Sequence, residues 1–205
     1  MKSIAILGAG GHGNVVAETA LLGQWSKVTF FDDNTELKTT DYEIAGDSEL
    51  LRKHLSEFDG IHIAIGNNKD RMKSILSFQS DGVTCETIIH PSVIVSPSVK
   101  ILSGSSLMAG AIVCSSTFIG SGVIINTSSS INHDCTISNG CHISPGVNIA
   151  GNVFIGESSW IGIGSSIIQD INIGKDTIIG AHSAVVSNIA DEKTAFGVPC
   201  KVVDE

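Results

Sequence analysis

Basic side chains are scarce in this chain. Twelve Lys and Arg stand against twenty-one Asp and Glu, for a net charge of −9 and a pI near 5.1. That balance argues against nucleic acid as the main partner, because phosphate backbones are held by clustered cations. A single anionic ligand stays open, since backbone amides at a helix N-terminus bind one without net positive charge. Long apolar runs are also missing: none approaches the roughly 18 residues that cross a bilayer. Met1-Lys2-Ser3 leads through one short apolar run straight to glycines, which does not make a secretory signal. The five cysteines (Cys85, Cys114, Cys135, Cys141, Cys200) are odd in number and form no C-x-x-C pair. They are expected as reduced thiols of a cytoplasmic protein, not as a disulfide or zinc framework. Charged residues total only 16% and aromatics 5%, while glycines number 22. Such a composition points to a β-rich fold with many turns.

What is present is a repeat. Every sixth residue from Ile89 to Val185 is Ile, Leu or Val, seventeen positions without a phase slip. Small or β-branched residues recur four places later, as at Ser105, Ala111, Thr117, Ser129, Ser159, Ser165 and Thr177. Gly or Asn often follows the aliphatic directly, as at Gly120, Asn126, Asn132, Gly156 and Gly162. A period of six is neither 3.6 nor 2, so neither a surface helix nor a hairpin explains it. A parallel β-solenoid does, with each hexad forming one wall and three hexads one coil. Cys135 and Cys141 fall at the small inward position and are expected as core fillers, not nucleophiles.

This repeat resembles the hexapeptide-repeat acyltransferases. The resemblance implies a left-handed coil, a homotrimer, and acetyl-CoA bound between neighbouring prisms. Gly197-Val198-Pro199-Cys200-Lys201 is similar to the family's closing G-x-P-A-K segment, with Cys200 in place of Ala. Pro199 and Gly162 are carried over on that likeness as acetyl-CoA-binding positions. Some hexad solenoids are carbonic anhydrases, which need three histidines converging on a metal. His90, His133, His142 and His182 form no i, i+5 pair and share no column at a spacing of eighteen, so no metal site is expected.

The front of the chain has a different grammar. Residues 2–7 form an apolar run, followed by Gly8-Ala9-Gly10-Gly11-His12-Gly13 and a helical stretch from Asn14 to Leu22. A second strand, Lys27 to Phe31, ends in Asp32-Asp33; a third, Ile61 to Ile65, ends in Gly66-Asn67-Asn68. Gly8, Gly10 and Gly13 make G-x-G-x-x-G after a strand and before a helix, the context in which glycines let backbone amides approach a phosphate. Only about 85 residues precede the repeat, enough for one βαβαβ unit but not for both halves of a dinucleotide fold. The expectation is an α/β half-Rossmann domain over residues 1–85 that holds one nucleotide, followed by an all-β parallel β-helix over 86–205.

The fusion of G-A-x-G-H-G, D-D and A-I-G-N-N to an uninterrupted hexad prism resembles the nucleotide-amino-sugar N-acetyltransferases of bacillosamine and perosamine synthesis, and the related sialic acid O-acetyltransferases. The resemblance runs nearly end to end. It implies that Gly10, Gly11, His12 and Gly13 lie near the phosphates or sugar, and Asp32 and Asp33 near the base or ribose. Gly66, Asn67, Asn68 and Asn126 are further candidates for the sugar pocket.

Acyl transfer to an amine needs a base for the amine's proton and donors for the oxyanion. His133, two residues after Ile131, is expected at an outward corner, with Asp134 placed to orient its ring. The resembled family has a histidine followed by an acid here, commonly Glu. Gly151 lies eighteen residues on, in the same column, where it would leave room for a thioester and offer its N–H to the oxyanion. His142 matches a second family histidine beside the acceptor amine and the acetyl group. The expected reaction is N-acetylation of a UDP-4-amino-4,6-dideoxy sugar for glycan or surface polysaccharide assembly. GDP-perosamine N-acetylation, sialic acid O-acetylation and a regulatory nucleotide-binding role are the alternatives.

Overall fold

The computed structural model describes residues 1–34, 36–37 and 42–203. Residues 204 and 205, which end the segment expected as the prism, lie outside them. The front unit is a parallel sheet in the order β2-β1-β3, with β1 at Ser3–Leu7, β2 at Lys27–Phe31 and β3 at Gly60–Ile63. Its strands are apolar on both faces because both faces are covered. Ile4, Ile6 and Phe30 pack on α1 (Gly11–Leu22), while Ala5, Leu7 and Phe31 pack with Leu51, Ile75 and Phe78. Those last three belong to α2 (Ser48–Lys53) and α3 (Asn68–Ser80).

Helix α1 begins at Gly11, three residues before the expected start, because the glycine turn runs directly into it from Gly10. Gly13 explains the tightness of that junction. A Cβ there would stand 2.0 Å from the carbonyl oxygen of Gly8, backbone that cannot yield.

From Ile88 onward, two-residue strands recur every six residues and stack into three parallel walls. The first holds Ile88–Ile89, Ser106–Leu107, Ile124–Ile125, His142–Ile143, Trp160–Ile161 and Ile178–Ile179, joined at its end by Thr194–Phe196 and Lys201–Val202. The second runs from Ile94–Val95 to Ala184–Val185 and the third from Lys100–Ile101 to Asn172–Ile173. Residues eighteen apart pair in register, Ile125 with Ile143 and Ile143 with Ile161. The aliphatic row from Leu107 to Val185 forms one buried core, and Cys135 and Cys141 fill it as expected. Ile89 departs from the row: it is 41% exposed, since no coil lies beneath the first.

The corners follow a stricter rule than the sequence pattern showed. The residue three places after each aliphatic from Ile101 to Ile179 is left-handed, for example Gly110 (φ 72°), Gly122 (φ 63°), Asp134 (φ 60°), Asn152 (φ 56°) and Asp170 (φ 63°). Gly, Asn, Asp and Ser occupy most of these places because they tolerate that region best. Glycine directly after the aliphatic serves another need. A Cβ at Gly162 would stand 2.6 Å from the carbonyl oxygen of Ile179 in the next coil.

The front unit lies along the first wall. Ile88 and Met108 join the α1 cluster, and His62 bridges the two units. Its Nδ1 is 2.8 Å from the carbonyl of Glu86 and its Nε2 is 2.9 Å from Ser106 Oγ. A carbonyl only accepts, so Nδ1 carries the proton and Ser106 donates to Nε2.

Candidate active site

Two clefts flank the loop that follows β3. The larger, of about 750 Å³, opens on the glycine turn and is lined by Gly10, Gly11, His12, Asp32, Asp33 and Gly66, among others. A Cβ at Gly10, Gly11 or Gly66 would meet nothing within 4 Å, so two stretches of bare backbone face the cavity. Gly13 does not line it; its work is the packing of α1 onto β1. Both aspartates on the rim also hold the fold. Asp32 accepts from the backbone N–H of Ala9 and of Asn34, each at 2.8 Å, and Asp33 accepts from Ser48 N at 2.9 Å. Asp32 thereby ties the glycine turn to the end of β2.

The smaller cleft, of about 520 Å³, lies between the front unit and the first wall, where Gly66, Asn67 and Asn68 face His142, Ser158 and Trp160. Gly66 borders both clefts. The rings of His142 and Trp160 are stacked, 5.5 Å apart and within 3° of parallel, and Trp160 Nε1 donates to Ser144 Oγ at 2.7 Å. Asn126 sets the tautomer of His142. Its Oδ1 accepts from Thr127 N at 2.8 Å, so its Nδ2 donates to His142 Nε2 at 3.1 Å. The proton of the neutral ring therefore sits on Nδ1, which bonds to no other described residue. Asn67 is exposed, and its Oδ1 caps α3 by accepting from Lys69 N and Asp70 N. The amide of Asn68 is committed to the fold: Nδ2 donates to the carbonyls of Ser158 and Ser159 and Oδ1 accepts from Arg71.

His133 stands elsewhere, on the corner between the second and third walls, with its side chain 62% exposed. Its Nδ1 lies 2.7 Å from Asp134 Oδ2, which leaves the lone pair on Nε2, an atom that bonds to no described residue. Gly151 sits directly under the ring: a Cβ there would be 2.5 Å from His133 Cε1. The room expected for a thioester is filled by the imidazole itself. The Gly151 N–H bonds to no described residue and remains available as a donor. This corner lies opposite the first wall in the triangular section, so one chain does not bring His133 and His142 together. Gly162 packs against the next coil, and Pro199 is exposed in the turn before Lys201–Val202.

Residues 3–77 match the PglD N-terminal domain family. Over 98% of its length and 99% of the relative's, the chain is 37% identical to the acetyltransferase domain of PglB from Neisseria gonorrhoeae FA1090, solved with acetyl coenzyme A, at a TM-score of 0.94. The chain belongs to the hexapeptide-repeat sugar acyltransferases. PerB from Caulobacter crescentus, solved with CoA and GDP-perosamine, is 33% identical over 100% of this chain and 98% of that one, again at a TM-score of 0.94. Among curated proteins, the acetyltransferase-like YJL218W of Saccharomyces cerevisiae is 48% identical over 40 residues, which span 20% of its length. The solenoid is thus the family's left-handed β-helix, of about six turns, and acetyl-CoA is the co-substrate. No helix among the described residues is long and apolar enough to cross a membrane, and none of their His, Cys, Asp and Glu side chains group as a metal site.

Sequence reasoning missed the cations of this acyltransferase. Arg52 and Lys73 line the larger cleft, where Arg52 pairs with Asp81, donates to Ser77 Oγ at 2.7 Å and covers the Phe78 ring. Arg71 is buried between the two units, where it makes no ion pair with any described residue. No motif marks these residues; their only signal was a cation on a helix in an acidic chain.

Three histidines are held neutral. Burial pushes His12 down to about 3, aided by the nearby His62, His142 and Arg71. Burial likewise pushes His62 and His142 to about 4, with Arg71 adding to both effects. The unfolded chain binds these protons near pH 6.5, so their contribution to stability is complete above that pH and lost as pH falls towards 4. Acidification from pH 7 to pH 5 is expected to cost roughly 2 kcal/mol for each ring. Denaturant melts at the two pH values check this, and equal midpoints would contradict it.

Proposed function

We propose that the chain uses acetyl-CoA to acetylate the amino group of a nucleotide-linked amino-deoxysugar, at a site shared between neighbouring chains of a homotrimer. The observation that carries this reading is the pair of clefts meeting at Gly66. The larger suits a nucleotide diphosphate: bare glycine backbone and the N-terminus of α1 face it, with His12, Arg52 and Lys73 in its lining. The smaller then receives the sugar beside His142. His133 of a neighbouring chain completes the site, because within one chain it stands on the far corner.

In the proposed reaction the amine nitrogen attacks the thioester carbonyl carbon, and His133 Nε2 takes the amine proton. Asp134 supports the imidazolium through Nδ1–H. The oxyanion is met by donors such as the free N–H of Gly151 and Nδ1–H of His142. Collapse breaks the carbon–sulfur bond, the coenzyme A thiolate leaves and takes the proton from His133, and the amide remains.

The likeness to bacillosamine enzymes supports UDP-4-amino-4,6-dideoxy-N-acetylglucosamine as acceptor. PerB, at 33% identity, supports GDP-perosamine as the second reading. Thiol release from acetyl-CoA, measured with each of these and with free sialic acid, separates them. Release with the UDP-sugar alone is expected. Release with GDP-perosamine alone keeps the chemistry and changes the base, and release with sialic acid alone overturns N-acetylation.

A further inference from the structure

Arg71 is an unusual group to find inside an interdomain seam. It lies on the first turns of α3 and is 1% exposed, yet every bond it makes is to a neutral oxygen. Nε donates to the carbonyl of Gly122 at 2.7 Å, and Nη1 to those of Ile65 and Gly66, each at 3.0 Å. Nη2 donates at 2.8 Å both to Asn68 Oδ1 and to the carbonyl of Gly140, with the carbonyl of Cys141 a longer sixth contact at 3.4 Å. A guanidinium has five N–H bonds, and the five nearer acceptors engage all of them. Three of the six acceptors are prism backbone, two are the loop after β3, and the last is Asn68, which itself reaches the prism through Ser158 and Ser159.

A buried charge of this kind is costly unless it is fully hydrogen-bonded. Stability alone would be served as well by an apolar contact. What the guanidinium does, and an apolar side chain cannot, is fix the Gly66 carbonyl and the Asn68 amide in one place relative to two prism corners. Gly66 borders both clefts, so its position sets the distance between the glycine turn and the His142–Trp160 wall.

We infer that Arg71 is a positioning residue for acetyl transfer: it locks the Ile65–Asn68 loop onto the prism edge and thereby sets the span between nucleotide cleft and acetylation wall. The inference rests on the reading of the two clefts as one nucleotide-sugar site. Lysine offers three donors where five are needed, and removal of Asn68 breaks the bridge while Arg71 stays. The charge also matches the neutral state of His12, His62 and His142, whose protonation it opposes.

The test compares Arg71→Lys and Asn68→Ala with the wild-type protein in three measurements. Each variant is expected to lose roughly 10–100-fold in kcat/KM for the nucleotide sugar, the scale of a small misplacement at the reacting centre. Its Kd for uridine or guanosine diphosphate, whichever the wild type binds, should stay within about threefold, since the glycine turn and the N-terminus of α1 that face the diphosphate are untouched. Amide hydrogen exchange across residues 65–68 should accelerate in both. A kcat/KM near wild type, or a nucleotide Kd that weakens in parallel with it, overturns the proposal. Should the wild type acetylate no nucleotide sugar, the functional reading falls instead, and unchanged exchange at 65–68 would then overturn the lock by itself. If Arg71→Lys does not fold, Asn68→Ala carries all three readouts.

Discussion

Turnover of the His133→Ala chain is expected to fall by about 10²–10⁴-fold with the fold intact, the range in which a general base contributes. The ring is 62% exposed at a corner turn, so its loss opens no cavity in the core. Its chemistry is specific. Asp134 holds Nδ1 at 2.7 Å, so Nε2, which bonds to no described residue, keeps the lone pair that takes a proton. Asp134 is suited to its place twice over, because the corner demands a left-handed residue (φ 60°) and Asp accepts that better than Glu. The shorter acid is therefore explained by the turn. Circular dichroism and steady-state kinetics with saturating sugar check the prediction, and wild-type turnover would remove His133 from the mechanism.

Gly151→Ala should also slow the reaction, by roughly 10²-fold, without removing a reacting group. The new methyl would stand 2.5 Å from Cε1 and 2.7 Å from Nε2 of His133, closer than van der Waals contact permits. The imidazole is the free end of an exposed side chain, so it swings aside and the backbone stays. Melting temperature should barely change while kcat falls. Unchanged kcat would show that the position of the ring above Gly151 is not the reactive one.

Much of this was legible in the sequence, and the reasons differ by region. The six-residue row from Ile89 to Val185 encodes the solenoid because each hexad repeats one physical task, burying one aliphatic and turning one corner. The row could not show that Ile89 would be left half open, since that depends on what lies beneath it. Gly8, Gly10 and Gly13 were visible as a turn, but the close approach of Gly13 to Gly8 is a tertiary fact. The candidate site was harder. His133 and Gly151 share a column by arithmetic, yet that the ring rests on the glycine follows only from coordinates. Arg71, and the bridging part Asn68 plays beside it, were hidden for a physical reason: their main-chain partners are carbonyls at sequence separations from 5 to 91 residues, and any residue supplies a carbonyl.

The proposed function has His133 and His142 act in one site although one chain holds them apart. It is tested most directly by mixing two slow variants, His133→Ala and His142→Ala, by co-expression. In a trimer with shared sites, a chain that keeps His133 beside one that keeps His142 makes an intact pair in one of four random pairings. Mixed protein is expected to regain about a quarter of wild-type turnover, far above either variant alone. Mixed protein no faster than the two variants separately would contradict the shared site.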